Sequence, residues 1–365
     1  MSADPADWVC PTPLRHHPNI VMGHGGGGRL SADLIEHLIV PAFAATGVGG
    51  AGSAETKAAD TELMRLADAA TLDPIDGRLA FTTDSYVVRP RFFPGGCIGD
   101  LAVNGTVNDL AMVGAHPLYL SVGFVLEEGL PLAELAAVVE ALAAAARVAG
   151  VRVVTGDTKV VDAGHGDGIY VNTAGVGVVP DGVSIGPDRV LPGDALILSG
   201  PIGRHGIAVM SVREGLEFGT EIRSDTAPVA VAVAALVAAG VTVHALRDPT
   251  RGGVAATLNE LADASAVGFE FDESAVPVPA EVRAACGFLG LDPLAVANEG
   301  CFVAAIPADQ CDAALSVLRA VDVSAAAVRF GTAVAEHPGV VLARTAIGGS
   351  RVVDRPLAEP LPRIC

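Results

Sequence analysis

The chain has 365 residues, enough for two domains at roughly 150 residues each, and its 51% apolar share is enough to build full cores, which excludes wholesale disorder. Its 23 Lys and Arg against 42 Asp and Glu give a formal net charge of −19, which excludes nucleic-acid binding through a broad basic face. The six cysteines contain no CxxC pair, so we expect no zinc knuckle, and the cytoplasmic location argued below makes disulfides unexpected.

Residues 1–18 form an acidic, proline-containing leader without the apolar segment of a secretory signal, so we expect a cytoplasmic protein. The most apolar stretch, 229–243, is shorter than the roughly 20 residues that a membrane span needs. It predicts a buried helix that runs into a strand. We therefore expect no contact with a membrane and none with nucleic acid.

Strands and helices alternate through the first half of the chain. A glycine tract precedes the first predicted helix, which spans 31–43 with Ser31 as its N-cap. Further strands are predicted over 78–88, 117–126, 151–154 and 168–179, and further helices over 100–113 and 131–148.

Residues 180–193 are dense in proline and glycine and mark a domain boundary. We predict an N-terminal domain over 19–180, a C-terminal domain over 190–347 and a mobile tail over 348–365. The second half has the same α/β style as the first, with several short strands. Its predicted strands are 195–199, 268–272, 301–306 and 340–343, and its predicted helices are 205–213, 228–239, 253–263 and 309–320.

Six segments place polar or acidic residues beside glycine where predicted elements meet. The first contains four consecutive glycines, Gly25, Gly26, Gly27 and Gly28, whose backbone N–H groups can approach a phosphate closely. The tract matches neither a Walker loop nor a GxGxxG motif. A flexible turn is an equally good interpretation.

The second and third segments place polar residues inside apolar elements. Asp84 lies in a predicted strand, where a carboxylate is costly unless it binds a metal or a phosphate or makes local hydrogen bonds at the strand end. Asn104 and Asn108 share one face of the predicted helix over 100–113, and Asp109 is adjacent. These weak helix formers suggest a ligand, whereas we interpret Asp100 as a simple N-cap.

The fourth segment, 155–159, follows the predicted strand 151–154 as a glycine–aspartate turn. It contains Asp157 and Lys159, and Lys159 is one of only two lysines in the chain. The end of a strand is where α/β proteins place their ligands. The alternative is an ordinary tight turn.

The fifth and sixth segments lie in the second half. Asp248 and Arg251 precede a predicted helix, where Arg251 favours an anion and Asp248 a cation. A plain helix cap with solvated arginines is the alternative. Glu299 lies just before a predicted strand, where the alternative is an ordinary loop.

Four carboxylates from these segments predict a magnesium site that serves a nucleoside triphosphate, because Mg²⁺ prefers oxygen ligands and substrate phosphates. They are Asp84, Asp109, Asp157 and Asp248. The terminal Cys365 follows a proline-rich tail, so its thiol has the reach to enter a site. Prenylation is excluded because that signal needs a cysteine four residues from the end, which leaves an accidental terminal residue as the alternative.

From about residue 19 to its end, the chain resembles the HypE family of hydrogenase-maturation proteins, the carbamoyl dehydratases. Their superfamily of ATP-binding proteins includes aminoimidazole ribonucleotide synthetase and selenophosphate synthetase. The aspartate motifs resemble the superfamily, and the terminal PRIC is specific to the family. The matching segments are FTTDSYVV, GDLAVNGTVNDLAMVGAHP, VTGDTKVV, RDPTRGGVA, ANEGC and PRIC.

The resemblance implies an ATP-dependent dehydration of a carbamoyl group on Cys365, which produces a protein thiocyanate. The carbamoyltransferase HypF would load Cys365, and a scaffold complex of HypC and HypD would receive the cyanide for a [NiFe] hydrogenase. By their motif positions and their chemistry, Glu299 is the candidate base and Lys159 orients the carbamoyl group.

The resemblance also implies a two-domain α/β fold of the PurM type. The N-terminal domain would pair with a second copy through a β-barrel-like interface, which makes a homodimer. ATP would lie near that interface with the Gly25–Gly28 loop over its phosphates. The other expected cofactor-binding residues are Asp84, Asn104, Asn108, Asp109, Asp157, Asp248 and Arg251, with Mg²⁺ on the four aspartates.

Two other functions stay open at this point. One is another ATP-dependent synthetase or kinase of the same superfamily, which would have no use for Cys365. The other is a noncatalytic thiol carrier whose ATP site is only structural. ATP hydrolysis that depends on a carbamoylated Cys365 distinguishes the three.

Overall fold

The first half of the chain is built around a four-stranded sheet. The computed structural model describes residues 17–44, 63, 67–216, 219–356 and 361–365. In chain order the strands are β1 (Arg78–Tyr86), β2 (Phe92–Phe93), β3 (Gly96–Cys97), β4 (His116–Glu127), β5 (Arg152–Val161) and β6 (Ile169–Val179). The four-stranded sheet has the order β1-β6-β4-β5, and only β4 and β5 are parallel in it. Strands β2 and β3 form a separate ribbon. Buried residues alternate with more exposed ones along β6, as expected for a sheet with one covered face.

Helices cover that buried face. The helices of this half are a 3₁₀ turn (Met22–Gly25), α1 (Arg29–Leu34), a π-helical segment (Ile35–Ile39), α2 (Val40–Ala44), α3 (Ile98–Met112) and α4 (Leu132–Ala149). Helix α3 is buried on nearly all sides because it packs against the sheet, α4 and the second half of the chain. Its buried polar residues, Asn104, Thr106 and Asn108, all make hydrogen bonds to other parts of the protein, as buried polar groups require.

The second half forms a seven-stranded sheet. Its strands are β7 (Ala195–Leu198), β8 (Ala245–Arg247), β9 (Gly268–Asp272), β10 (Val303–Ile306), β11 (Val328–Val334), β12 (Val341–Arg344) and β13 (Ser350–Val352). They lie in the order β13-β12-β9-β11-β7-β10-β8, and only the β9–β12 pair is parallel. Its helices are α5 (Arg204–Arg213), α6 (Ala230–Ala238), α7 (Gly253–Ser265), α8 (Ala280–Leu289) and α9 (Cys311–Arg319), with 3₁₀ turns at Glu273–Ala275, Pro293–Ala295, Ala308–Gln310 and Asp322–Ser324.

The long predicted elements of the first half are confirmed to within two residues at each end. The prediction of a turn over 155–159 is wrong, because β5 continues to Val161. The continuation pairs in parallel with β4, as in the pair Leu126–Val160. Pairing with a neighbouring strand therefore overrides the local turn preference of the Gly156–Asp157 dipeptide.

Two predicted helix caps are also wrong. Helix α1 begins at Arg29 after Gly28, and Ser31 lies inside it, where its hydroxyl donates to the Gly23 carbonyl at 3.1 Å. The N-cap of α3 is Cys97. Asp100 is the third residue of that helix, and its Oδ1 accepts a hydrogen bond from the Cys97 N–H at 2.6 Å.

Several elements were not predicted: β2, β3, β8, β11, β13 and α8. Strand β13 lies in the segment predicted as a mobile tail and pairs with β12. The predicted leader lies outside the described residues apart from residues 17 and 18. Among the helices of the described ranges, none has the length and apolar character needed to cross a membrane.

Two helical glycines give opposite expectations for alanine substitution. At Gly99 on α3, a Cβ would lie 2.3 Å from the Val138 carbonyl oxygen on α4, so Gly99→Ala should destabilise the fold by about 1–3 kcal/mol. At Gly287 on α8 nothing lies within 4 Å, so Gly287→Ala should stabilise it by about 0.5–1 kcal/mol. Denaturant unfolding followed by circular dichroism measures both. A Gly99→Ala protein as stable as the parent would contradict the close helix crossing.

Candidate active site

Two cavities lie beside the four-stranded sheet, one near each edge. The first, of about 460 Å³, is bordered by β1, α3, the segment after β8 and the chain terminus, and we name it the tail cavity. The second, of about 400 Å³, is bordered by β5, α1 and the glycine tract, and we name it the glycine-loop cavity.

Strand β1 and helix α3 place two carboxylates in the tail cavity. Thr82 and Asp84 lie on the face of β1 that looks towards α3, and the Thr82 hydroxyl donates to Asp109 Oδ2 at 3.0 Å. Asp84 Oδ1 accepts from the backbone N–H of Ser85 at 2.7 Å. Burial raises the pKa of Asp109, and the nearby charge of Asp84 adds to that effect.

Asp248 and Glu299 enter the same cavity from the second half. Burial raises the pKa of Asp248 to about 7, with a further contribution from Asp109. Glu299 is 3% exposed, and among the described residues its Oε1 has no hydrogen-bond partner. Burial and then the charges of Asp248 and Asp225 raise the pKa of Glu299 well above its usual range. These carboxyls share a site that disfavours their charged forms.

Asp225, which sequence reasoning missed, holds Glu299 in place. Its carboxylate accepts hydrogen bonds from the backbone N–H groups of Glu299, at 3.2 Å, and Gly300, at 3.0 Å. A Cβ at position 300 would lie 1.7 Å from the Asp225 carbonyl oxygen, which explains the glycine of the ANEGC segment. Asp225 lies between helices in a stretch without periodicity, so its sequence context gives no signal for this role.

The two predicted asparagines of α3 donate hydrogen bonds to the second half of the chain, Asn108 to backbone carbonyls and Asn104 to a side chain. Asn108 Nδ2 donates to the carbonyl oxygens of Ala227, at 3.1 Å, and Glu299, at 3.3 Å. Asn104 Nδ2 donates to Thr226 Oγ1 at 3.2 Å. Both side chains thus join the two halves of the chain, and contact with a cofactor stays a prediction.

The chain terminus reaches the tail cavity. Cys365 is half-buried in its wall, together with Glu299 and the predicted Arg251. Leu361 and Ile364 are 2% and 1% exposed, so the last five residues lie packed against the protein.

The glycine-loop cavity contains the other predicted residues. A Cβ at Gly25 would lie 2.5 Å from the Val160 backbone nitrogen, so only glycine allows the tract to rest on β5. Gly27 has a φ of +74°, and at Gly27 and Gly28 a Cβ would face open space. Gly26 is similarly uncrowded, with its nearest atoms at 3.9 and 4.0 Å.

Asp157 and Lys159 form an ion pair at the mouth of this cavity, with 2.7 Å between Nζ and Oδ1, and both side chains are mostly exposed. The hydrogen bond from Lys159 lowers the pKa of Asp157. The deeper wall is apolar, with Ile35, Ile39, Phe43, Val122 and Phe124.

A single chain does not bring the predicted site together. Asp84 is paired across the sheet with Thr173, Thr173 with Val122, and Val122 with Gly156, the neighbour of Asp157. Asp84 and Asp157 therefore lie at one level of the sheet but at opposite edges, roughly 14 Å apart at the usual strand spacing. Within the described ranges, no three His, Cys, Asp or Glu side chains are grouped closely enough to hold a metal by themselves.

Comparison with known proteins identifies the fold and the family. Residues 66–179 match the N-terminal domain, and residues 192–343 the C-terminal domain, of AIR synthase related proteins. The carbamoyl dehydratase HypE of Cupriavidus necator is 51% identical over 348 residues, which cover 95% of each chain. The chain belongs to the HypE family of carbamoyl dehydratases.

Solved structures of HypE proteins support the same assignment. A crystal structure of the hydrogenase maturation protein HypE in complex with ATP matches with a TM-score of 0.87 and 45% identity, over 94% of this chain and 99% of that chain. A HypE–HypF complex matches with a TM-score of 0.75 and 42% identity, over 88% and 99%. The resemblance drawn from the six segments and PRIC is confirmed, and so is the two-domain α/β fold.

The raised pKa of Asp248 predicts an unusual pH dependence of stability in metal-free, nucleotide-free buffer. The folded state holds the Asp248 proton up to about pH 7, whereas the unfolded chain releases it near 3.8. The folded state binds more protons between these values, so this group's contribution to stability should fall from about pH 4 to 7 and then level off. Asp248→Asn should flatten that decline in thermal-unfolding midpoints. Equal slopes in the two proteins would show that Asp248 is ionised throughout.

Proposed function

We propose that this chain dehydrates an S-carbamoyl group on its own Cys365 to a thiocyanate, with ATP converted to ADP and phosphate. The carbamoyl oxygen leaves with the phosphate, both N–H protons are released, and a C≡N bond remains on Sγ. The product would supply cyanide for [NiFe] hydrogenase maturation. The observation that carries the proposal is the seating of Cys365 in one cavity with the buried Glu299.

Glu299 is suited to act as the base. Its pKa is raised by burial and neighbouring carboxyls, so its carboxylate is a stronger proton acceptor than an exposed glutamate. Its Oε1 has no partner among the described residues. Asp225 accepts a hydrogen bond from the Glu299 N–H, and Asn108 donates one to the Glu299 carbonyl oxygen. These bonds limit movement of the Glu299 backbone and therefore of its side chain.

The tail cavity fits a divalent cation with phosphate. Burial and neighbouring carboxylates raise the pKa values of Asp109 and Asp248, and carboxylates combined with substrate phosphates are the usual environment of Mg²⁺. Arg247 and Arg251 lie on its wall and suit the phosphates. When bound, ATP supplies the phosphoryl group that makes the carbamoyl oxygen a leaving group, and Mg²⁺ offsets the charge.

A homodimer would complete the site. Strands β1 and β5 are the two free edges of the sheet within the described residues. A twofold axis parallel to the strands would set β5 of a second copy beside β1, closing an eight-stranded barrel. Because Asp84 and Gly156 lie at one level, this rotation would bring Lys159 of the second copy, with its glycine loop, to the tail cavity.

The outer face of the sheet supports this pairing. Phe81 is 71% exposed, Leu79 57% and Val125 37%. Large apolar side chains and open strand edges on one surface favour coverage by another protein chain. A second copy would bury them inside the barrel.

The partners follow from the same chemistry. A carbamoyl donor must reach the thiol of Cys365, and a HypF relative of the known complex would provide it. The thiocyanate must then be passed to an iron-carrying acceptor, for which we propose a HypC–HypD complex. Both transfers require the terminal residues to leave the tail cavity.

Glu299→Gln should separate binding from dehydration. Glutamine keeps the size of the side chain but cannot accept the N–H proton, so thiocyanate formation should fall by roughly 100-fold or more. ATP binding and carbamoylation of Cys365 should persist, while Cys365→Ala should abolish both loading and dehydration. The mass of the C-terminal peptide reports both steps, since dehydration removes one water. The exposed control Glu140→Gln should dehydrate the loaded tail at the parent rate. The same rate in Glu299→Gln would exclude Glu299 as the base.

A mixed dimer of Lys159→Ala and Glu299→Gln tests the shared site. Each variant alone should be nearly inactive. If Lys159 acts on the neighbouring copy, the mixed dimer contains one cavity with both residues intact and should recover about half of the parent rate per dimer. If Lys159 serves its own chain, both cavities stay defective and no recovery occurs, which would overturn the proposed pairing.

A further inference from the structure

The last residues of the chain run antiparallel to residues 87–89 and are held there by two backbone hydrogen bonds. We name this segment the added strand, although Arg363, with a φ of +55°, departs from extended geometry. The Val87 N–H donates to a terminal carboxylate oxygen of Cys365 at 3.1 Å, and the Arg89 N–H donates to the Arg363 carbonyl oxygen at 3.2 Å. Residues 87–89 continue directly from β1, the strand that carries Asp84. The added strand therefore aligns Cys365 with the tail cavity through the backbone.

Arg213, in the last turn of α5, fastens this strand to its neighbour. Its Nη1 donates to the Pro362 carbonyl oxygen and its Nη2 to that of Arg363, both at 2.6 Å. Its Nε and Nη2 also donate to the Arg89 carbonyl oxygen, at 2.8 and 2.6 Å. The rigid fork of a guanidinium makes such simultaneous contacts with two segments, which the flexible ammonium of a lysine does less well.

His205, at the other end of α5, holds the next carbonyl. Its Nε2 lies 2.8 Å from the Ile364 carbonyl oxygen, and its Nδ1 lies 2.8 Å from Ser224 Oγ. Burial lowers the pKa of His205 to about 4, so the ring is neutral near pH 7. A carbonyl can only accept, so Nε2 carries the proton and Nδ1 accepts from the Ser224 hydroxyl.

Side chains of the tail add selectivity to these backbone contacts. Ile364 and Leu361 are buried, and Leu361 packs so closely on Gly206 of α5 that a Cβ there would lie 2.8 Å from Leu361 Cδ1. Arg363 pairs with Asp167 at 2.5 Å. The hydrogen bonds that Arg213 and His205 make to the tail go to main-chain carbonyls of residues 362–364, so they do not depend on what Cys365 Sγ carries.

We propose that Arg213 and His205 are positioning residues that form a clamp for the C-terminal strand and set how long Cys365 stays in the tail cavity. The inference rests on the proposed function, because it assigns dehydration to the clamped strand and loading to the released one. A segment hydrogen-bonded along its backbone here cannot lie in a carbamoyltransferase at the same time. The clamp therefore sets the ratio of the two steps.

This competition gives a quantitative expectation. If K is the equilibrium constant for clamping and exchange is fast, dehydration is proportional to K/(1+K) and loading to 1/(1+K). Their ratio, loading over dehydration, is 1/K whatever the value of K. Loss of the charge-assisted contacts of one guanidinium should lower K about tenfold or more.

The test compares Arg213→Met, Arg213→Lys and the exposed control Arg147→Met in the full-length protein. Trypsin can cleave after Arg363 when the strand is released, and the cleavage is measured as the loss of the mass of Ile364–Cys365. This measurement needs neither ATP nor a partner protein. We expect the loading-to-dehydration ratio to rise about tenfold in Arg213→Met, and cleavage, which follows 1/(1+K), to rise by up to the same factor. Arg213→Lys should show a smaller rise, and Arg147→Met none.

The outcomes separate the clamp from the catalytic proposal. Unchanged cleavage and an unchanged ratio in Arg213→Met would overturn the clamp, as would an equal rise in Arg147→Met. If the parent protein forms no thiocyanate, the proposed function fails, and cleavage alone still decides the clamp. As a second pair, His205→Leu should release the strand, whereas His205→Gln keeps an N–H donor and should stay close to the parent.

Discussion

A single buried amide fixes the position of the two halves of the molecule around the tail cavity. Asn108 is 1% exposed, and it donates to the carbonyl oxygens of Ala227 and Glu299 while its Oδ1 accepts from the Val229 N–H. Each buried group left unpaired would cost about 1–3 kcal/mol. Movement of one half over the other is therefore opposed. As a result, Asp109, the next residue on α3, keeps a fixed position relative to Glu299.

The same junction brings together several acidic side chains whose charged forms are disfavoured by burial. Burial raises the pKa values of Asp109, Asp225, Asp248 and Glu299 together. Such an arrangement works against stability, and local conflict of this kind is typical of functional sites. Under the proposed function, a bound cation and the arginines beside it would relieve the conflict. These unfavourable interactions in the free protein would then contribute to the free energy of magnesium and phosphate binding.

The sequence predicts well what depends on neighbouring residues and poorly what depends on distant ones. Periodic apolar patterns located α3, α4, β4 and β6, because burial of one face determines those elements. The turn expected at 155–159 is a strand because β4 pairs with it, and Cys97 rather than Asp100 caps α3 because the preceding ribbon presents it. Motifs found Asp84, Asp248, Glu299 and Cys365 but missed Asp225 and Arg213, whose partners lie far along the chain.

The terminal strand is at once part of the fold and the carrier of the reacting group, and this dual role limits how tightly it can bind. Because the tail is tethered, its effective concentration at α5 is high, so modest contacts suffice for docking. Backbone carbonyls are the same before and after Cys365 is modified, so unloaded, carbamoylated and cyanated tails dock through the same bonds. Tight binding of the thiol itself would favour one of these states over the others. Under the proposed function, contacts on residues 362–364 would leave Sγ to react beside Glu299 and would let the strand depart in any state.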